Sequence, residues 1–150
     1  MDAVTYPNAS VTTYITHNVV PLRIPSNHES LAPCFRVQWT PTLLFLDPEG
    51  TEHHRSVGFL PAEELVPWLL IGSAKWRFNT NRPELALHDL EEILSSYPKS
   101  DFAPEALYLT GVCRYKTTHD PKPLKEAYEK LKVEHPGSEW EKRAYPYSLL

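Results

Sequence analysis

Pro98 and Pro136 stand 38 positions apart, and the same offset pairs Leu90 with Tyr128, Ile93 with Leu131, Tyr97 with His135, Ser100 with Ser138, Phe102 with Trp140 and Ala106 with Ala144. A self-similarity of this length belongs to helix-pair solenoids. The local spacing agrees. Ala86, Leu90, Ile93, Leu94 and Tyr97 form one helical stripe, and Ala103, Ala106, Leu107, Thr110 and Cys113 a second. Leu124, Ala127, Tyr128 and Leu131 form a third, and Ser138 with Glu141 is a capping signature for a last short helix. A solenoid needs roughly three repeats to stand alone. This chain holds about one and a half, so the helix carrying Leu69, Trp76 and Phe78 is the expected support.

The first part of the chain has a different texture. Val11–Thr16 permits a turn or two of helix. Val19–Ile24, β-branched and bounded by Asn18 and Pro25, reads as a strand. Ser26 or Asn27 can cap a short helix running to about Phe35. Thr42–Leu46 is a continuous apolar run, suited to a central strand covered on both faces. The turn sequence Asp47-Pro48-Glu49-Gly50 follows, then Thr51–Val57, a polar strand fit for an edge, so the two strands form an antiparallel hairpin. Pro61 opens a helix over Leu65, Val66, Leu69 and Leu70, in which Pro67 predicts a kink or a late start. Fifteen prolines against five glycines make proline the main punctuation of the chain.

Composition excludes several classes. The net charge of -4 argues against a nucleic-acid binder or an anionic-membrane binder. No apolar run approaches the roughly 18 residues of a membrane span. The first ten residues carry no signal-peptide pattern, which makes the cytoplasm the default compartment. No P-loop, G-x-S-x-G or dinucleotide fingerprint occurs, so no cofactor is expected. Cys34 and Cys113 make no C-x-x-C, and the histidines have no metal-ligand spacing.

Two resemblances organise these readings. Tyr97 to Gly111 resembles the tetratricopeptide variant Y-P-x-S-x-x-A-P-E-A-L-Y-x-x-G. Trp39-Thr40-Pro41-Thr42, with the apolar strand, the D-P-x-G turn and the strand ending at Gly58, resembles the back part of the thioredoxin fold. That resemblance covers roughly residues 1 to 75. It implies a cis proline at Pro41, Val19–Ile24 as the preceding strand, Leu31–Val37 as the helix end entering the loop, and Pro61–Leu70 as the last helix. It also implies a strand and a C-x-x-C before Met1–Pro7, which look like the continuation of the redox helix. The fold expected is therefore an incomplete α/β thioredoxin-like sheet over residues 1–78, followed by an all-α tetratricopeptide-like tail over 79–150. A start inside a longer gene product is the favoured explanation of the gap. The others are a strand from another chain, or a rearranged sheet in which Val19–Ile24 and Leu43–Leu46 meet directly; should the chain be a stable monomer, Thr5–Thr16 is the first candidate for a replacement strand.

Each candidate site has a plain counterpart. Trp39, Thr40 and Pro41 would form a peptide-docking loop, since backbone beside a cis proline can pair with an extended chain; the counterpart is a retained fold feature. Cys34 and Cys113 read as small buried hydrophobes rather than reactive thiols. His53 and His54, adjacent in a strand, should point to opposite faces and lie solvated at an edge. Trp76, Phe78, Tyr97, Tyr108, Tyr115 and Tyr128 read as inter-helix packing. The chain is expected to act as a redox-inactive binding or scaffold module with a protein or peptide partner, and to self-associate through an exposed strand edge. The alternatives are a thiol–disulfide oxidoreductase with an upstream C-x-x-C, and a holdase-like co-chaperone.

Overall fold

A computed structural model describes all residues, 1–150. The chain divides into two compact units, Met1–Val66 and Pro67–Leu150. The first holds α1 (Ala9–Asn18), α2 (Leu31–Cys34), β1 (Thr42–Leu46), β2 (Glu52–Val57) and the start of α3 (Ala62–Asn79). The second holds the rest of α3, then α4 (Pro83–Ser96), α5 (Ala103–Thr118), α6 (Lys122–Glu134), α7 (Glu139–Ala144) and a 3-10 turn over Tyr145–Leu149. No helix is long and apolar enough to cross a membrane.

Met1–Pro7 do not continue a helix into α1. The amides of Val4, Thr5 and Tyr6 all donate to the Met1 carbonyl, closing a separate turn. Asn8 then caps α1, its side-chain oxygen accepting from the amides of Ser10 (3.0 Å) and Val11 (3.4 Å). The threonine-rich segment is helical rather than a replacement strand: it starts at the Asn8 cap, and its hydroxyls are accommodated by bonding back to carbonyls one turn earlier. Thr12 donates to the Asn8 carbonyl and Thr16 to the Thr12 carbonyl.

Val19–Ile24 is not a strand. It is irregular chain, with Val20 96% and Leu22 80% exposed. Strand formation needs a partner, and Pro21 and Pro25 contribute no amide donor to one. The following helix is also shorter than expected. His28, not Ser26 or Asn27, receives the Leu31 amide on Nδ1 at 3.3 Å, and α2 spans four residues. It ends where Arg36 takes a left-handed conformation (φ +51°) and the Val37 amide returns to the Ala32 carbonyl.

β1 and β2 form a two-stranded antiparallel sheet, with Thr42 opposite Val57, Leu43 opposite Ser56, Leu44 opposite Arg55 and Phe45 opposite His54. The register then shifts so that Leu46 faces Glu52, leaving His53 as the extra residue of a bulge in β2. β1 is half-buried along its whole length rather than buried on both faces, and β2 is its only neighbouring strand.

α3 starts on time and runs through Pro67 without interruption. Proline there withholds a donor from the Glu63 carbonyl. Every residue from Leu65 to Gly72 is buried, so the segment is a core helix rather than an amphipathic one. In the second unit the helical stripes face inward as their spacing requires. Ala86, Leu90, Ile93, Ala103, Ala106, Leu107, Cys113, Leu124, Ala127, Leu131 and Ala144 are all buried. α4 packs on α5, α5 on α6, and α6 on α7. Ser138 caps α7 by accepting from the Glu141 amide, while the Glu141 carboxylate accepts from the Gly137 amide.

The aromatic set divides. Tyr108 packs against Trp140 and Tyr147, with ring centroids 5.2 and 5.9 Å away, and its hydroxyl lies 3.0 Å from that of Tyr147. Burial and that hydroxyl contact push the Tyr147 phenol up to about 12. Tyr128 meets Tyr145 edge-on. Tyr115 is instead exposed, and Trp76 and Phe78 are half-buried, covered by the cations of Arg82 (4.6 Å) and Lys116 (4.4 Å).

Candidate functional site

The loop entering β1 is held from two sides. The Thr42 hydroxyl donates to the Trp39 carbonyl at 2.6 Å, and the Gly58 amide donates to the Pro41 carbonyl at 2.8 Å. The Thr40–Pro41 peptide bond between these anchors is cis. Trp39 and Thr40 are exposed and Pro41 is half-buried, so all three lie together at the start of β1.

The Gly58–Pro41 bond fixes which way the strand's backbone points. It makes Pro41 and Gly58 a hydrogen-bonded pair, and the register then repeats that geometry at Leu43–Ser56 and Phe45–His54. The intervening residues Thr42 and Leu44 turn their N–H and C=O groups away from β2. Leu46 does the same, because the Asp47 amide donates to the Thr51 carbonyl on the β2 side. β1 therefore presents an open edge of backbone donors and acceptors beginning at the cis-proline loop.

A family model for a thioredoxin-like domain matches residues 1–71. Residues 1–71 are therefore similar to a thioredoxin-like domain. Neither the curated proteins nor the solved structures give a match.

Two apolar residues of this region escaped the sequence reading. Val57 and Phe59 are 55% and 60% exposed and flank Gly58, whose amide grips Pro41. Trp39, two residues before Pro41, is 69% exposed as well. Only the hydrogen bond from Gly58 could have revealed Val57 and Phe59, and it depends on pairing across the hairpin.

The frame around the edge is ionic. Asp47 Oδ1 accepts from the amides of Glu49 (3.1 Å) and Thr51 (2.7 Å), and Oδ2 pairs with His53 Nε2 at 2.9 Å. The bond from His53, with the backbone donors behind it, holds the Asp47 carboxyl below its ordinary pKa. His53 and His54 are thus half-buried residues, not solvated edge residues; the bulge at His53 breaks the alternation on which that expectation rests. Arg55 pairs with Glu52 at 2.6 Å, lowering the Glu52 pKa and raising its own, and also donates to the Phe35 carbonyl. That last bond ties β2 to the end of α2, where the chain turns toward the loop.

Neither cysteine belongs to this arrangement. Cys34, the last residue of α2, is exposed, contrary to the packing expectation; Ala32 is the residue that this short helix buries. Cys113 is buried, and burial pushes its thiol up to about 11, which removes thiolate at neutral pH.

Proposed function

We propose that the thioredoxin-like domain is a redox-inactive binding module that accepts an extended polypeptide segment at Trp39, Thr40 and Pro41 and along the β1 edge. The observation that carries this is the outward backbone of Thr42 and Leu44 beginning directly after Pro41, beside the exposed Trp39. Such an edge supplies affinity through main-chain hydrogen bonds, and flanking apolar residues supply side-chain contacts. Thiol chemistry has no support in the chain: there is no C-x-x-C, and the two cysteines lie in different units. The helical tail, read as a tetratricopeptide-like repeat, serves as a second protein-interaction element, and a protein is the expected partner.

The test is fluorescence anisotropy with a short dye-labelled peptide of alternating valine and threonine, run beside an insulin-reduction assay on the whole chain. Saturable binding that weakens at least about tenfold in Trp39→Ala, the 1.4 kcal/mol scale of one good aromatic contact, is expected, with no turnover above a cysteine-free control. Absence of binding overturns the docking half. Turnover lost in Cys34→Ser overturns the redox half.

A further inference from the structure

The two edges of the sheet are not alike. β2 carries Glu52, His53, His54 and Arg55 and is bulged, which are the devices that keep an edge from recruiting another strand. β1 is Thr-Leu-Leu-Phe-Leu, with no charge, no internal proline and no extra residue. Its outward groups belong to Thr42, Leu44 and Leu46, spaced evenly about Leu44. That pattern is its own complement. Placed antiparallel about a two-fold axis through Leu44, Leu44 meets Leu44 of the second copy, and Thr42 meets Leu46 in both directions. These are three hydrogen-bonded pairs exchanging two bonds each, six in all. Between them, Leu43 falls opposite Phe45 in the close, non-hydrogen-bonded positions where apolar side chains interact best.

We propose that β1 pairs with β1 of a second copy of this chain, giving a continuous four-stranded antiparallel sheet in the order β2, β1, β1, β2. This rests on the reading of the β1 edge as a strand-accepting site, and it names the occupant in the absence of a client. A second copy is favoured over an unrelated strand because the pairing is isologous: one symmetric contact satisfies every outward group of both edges. It also leaves only the charged, bulged β2 strands at the outside. Self-pairing and the capture of an extended segment then compete for the same hydrogen-bonding groups, so client peptide drives the pair apart.

Sedimentation equilibrium on the whole chain tests this. The apparent mass is expected to double across the micromolar range and to fall back as the valine–threonine peptide is added. Leu44→Lys and Leu44→Glu each place like charges opposite one another at the axis, so each variant alone should stay monomeric. Their equimolar mixture should recover the doubled mass, which separates loss of pairing from loss of folding. As a second reading, Leu44→Cys in a Cys34→Ser background should cross-link between copies under mild oxidation. The paired Cα atoms would lie about 5.5 Å apart, within disulfide reach. Leu43→Cys, offset from its own symmetry mate, should not cross-link. A wild-type chain that stays monomeric, or a pair indifferent to both charge variants, overturns the proposal. Peptide binding by a monomeric wild type would overturn this inference and leave the docking reading standing. A Leu44-dependent pair that ignores the peptide would do the reverse.

Discussion

His53 Nε2 lies 2.9 Å from Asp47 Oδ2 across the mouth of the hairpin, with the two side chains only 6% and 8% exposed. The contact exists because the bulge in β2 inserts His53 beside the turn, where the other Asp47 oxygen already holds the amides of Glu49 and Thr51. One carboxylate thereby fixes both the turn and the register of the open strand.

The first prediction concerns acid. Asp47 has a folded pKa below its unfolded value, so the stabilisation it provides is complete above the ordinary carboxylate pKa of about 3.9 and is lost as pH falls through the depressed folded value. A carbon-detected NMR titration should show the Asp47 carboxyl titrating below that ordinary value. In His53→Ala the midpoint should move up, because the largest cause of the depression is removed. An unchanged midpoint would show that the backbone amides alone set it.

What the sequence discloses and what it hides have physical causes here. β1 was legible because four consecutive apolar residues between turn signals have few other solutions, and the tail because its apolar residues recur at helical spacing and are buried. Val19–Ile24 misled because β-branched composition is local whereas strand formation needs a partner, and two prolines remove donors. Asp47 and His53 could not be joined from the sequence because a bulge is a property of two strands together. The loop residues Trp39, Thr40 and Pro41 were legible as a motif; Val57, at the end of β2, and Phe59, just beyond it, were not, because nothing in the local sequence marks them as exposed.

Trp68, not Trp76, is the tryptophan on which the core depends. Trp68 is 2% exposed, within a run buried on all sides that has no stripe to betray it, whereas Trp76 is half-buried beneath Arg82. Trp68→Ala should cost about 3–5 kcal/mol, the range for a fully buried aromatic. Trp76→Ala should cost clearly less. Chemical denaturation of the two variants decides it, and equal losses would contradict the burial difference. For the same reason residues 80–150 should show no cooperative transition alone. They lack the buried run of α3, as well as Lys75 and Arg77, which pair with Glu105 and Asp89.

Asp89 is buried and bonded to Arg77 at 2.7 Å, while the same Arg77 nitrogen donates to the Leu85 carbonyl at 3.0 Å. Burial raises the Asp89 pKa, opposed by a hydrogen bond from Ser73 and the charge of Arg77. A carboxyl with a raised folded pKa holds its proton better in the native state, so stability falls as pH rises from the unfolded value through the raised one. Arg77→Met leaves the ionised carboxylate without its cation, and should cost about 3 kcal/mol at neutral pH, the lower end for a broken buried pair because Arg77 itself is partly exposed. The loss should shrink on acidification as Asp89 takes up a proton. A loss independent of pH would assign the role of Arg77 to its bond with the Leu85 carbonyl.

Gly111 sits where α5 runs close against α6. A Cβ there would stand 2.7 Å from the Ala127 Cβ and 2.9 Å from the Pro123 carbonyl oxygen, both nearer than unbonded atoms settle. Alanine is the better helix former by about 1 kcal/mol, so an open site would be stabilised by Gly111→Ala. Here the backbone of α6 must move, and overpacking of this kind costs about 1–3 kcal/mol. The crowding should therefore outweigh the propensity gain, and the variant should melt lower than wild type. Adding Ala127→Gly removes the nearer contact but not the carbonyl. The double variant should accordingly recover only part of what Gly111→Ala loses, beyond the helix penalty of the new glycine measured in Ala127→Gly alone. A single variant that melts higher than wild type would show that α5 and α6 can separate at this crossing without cost.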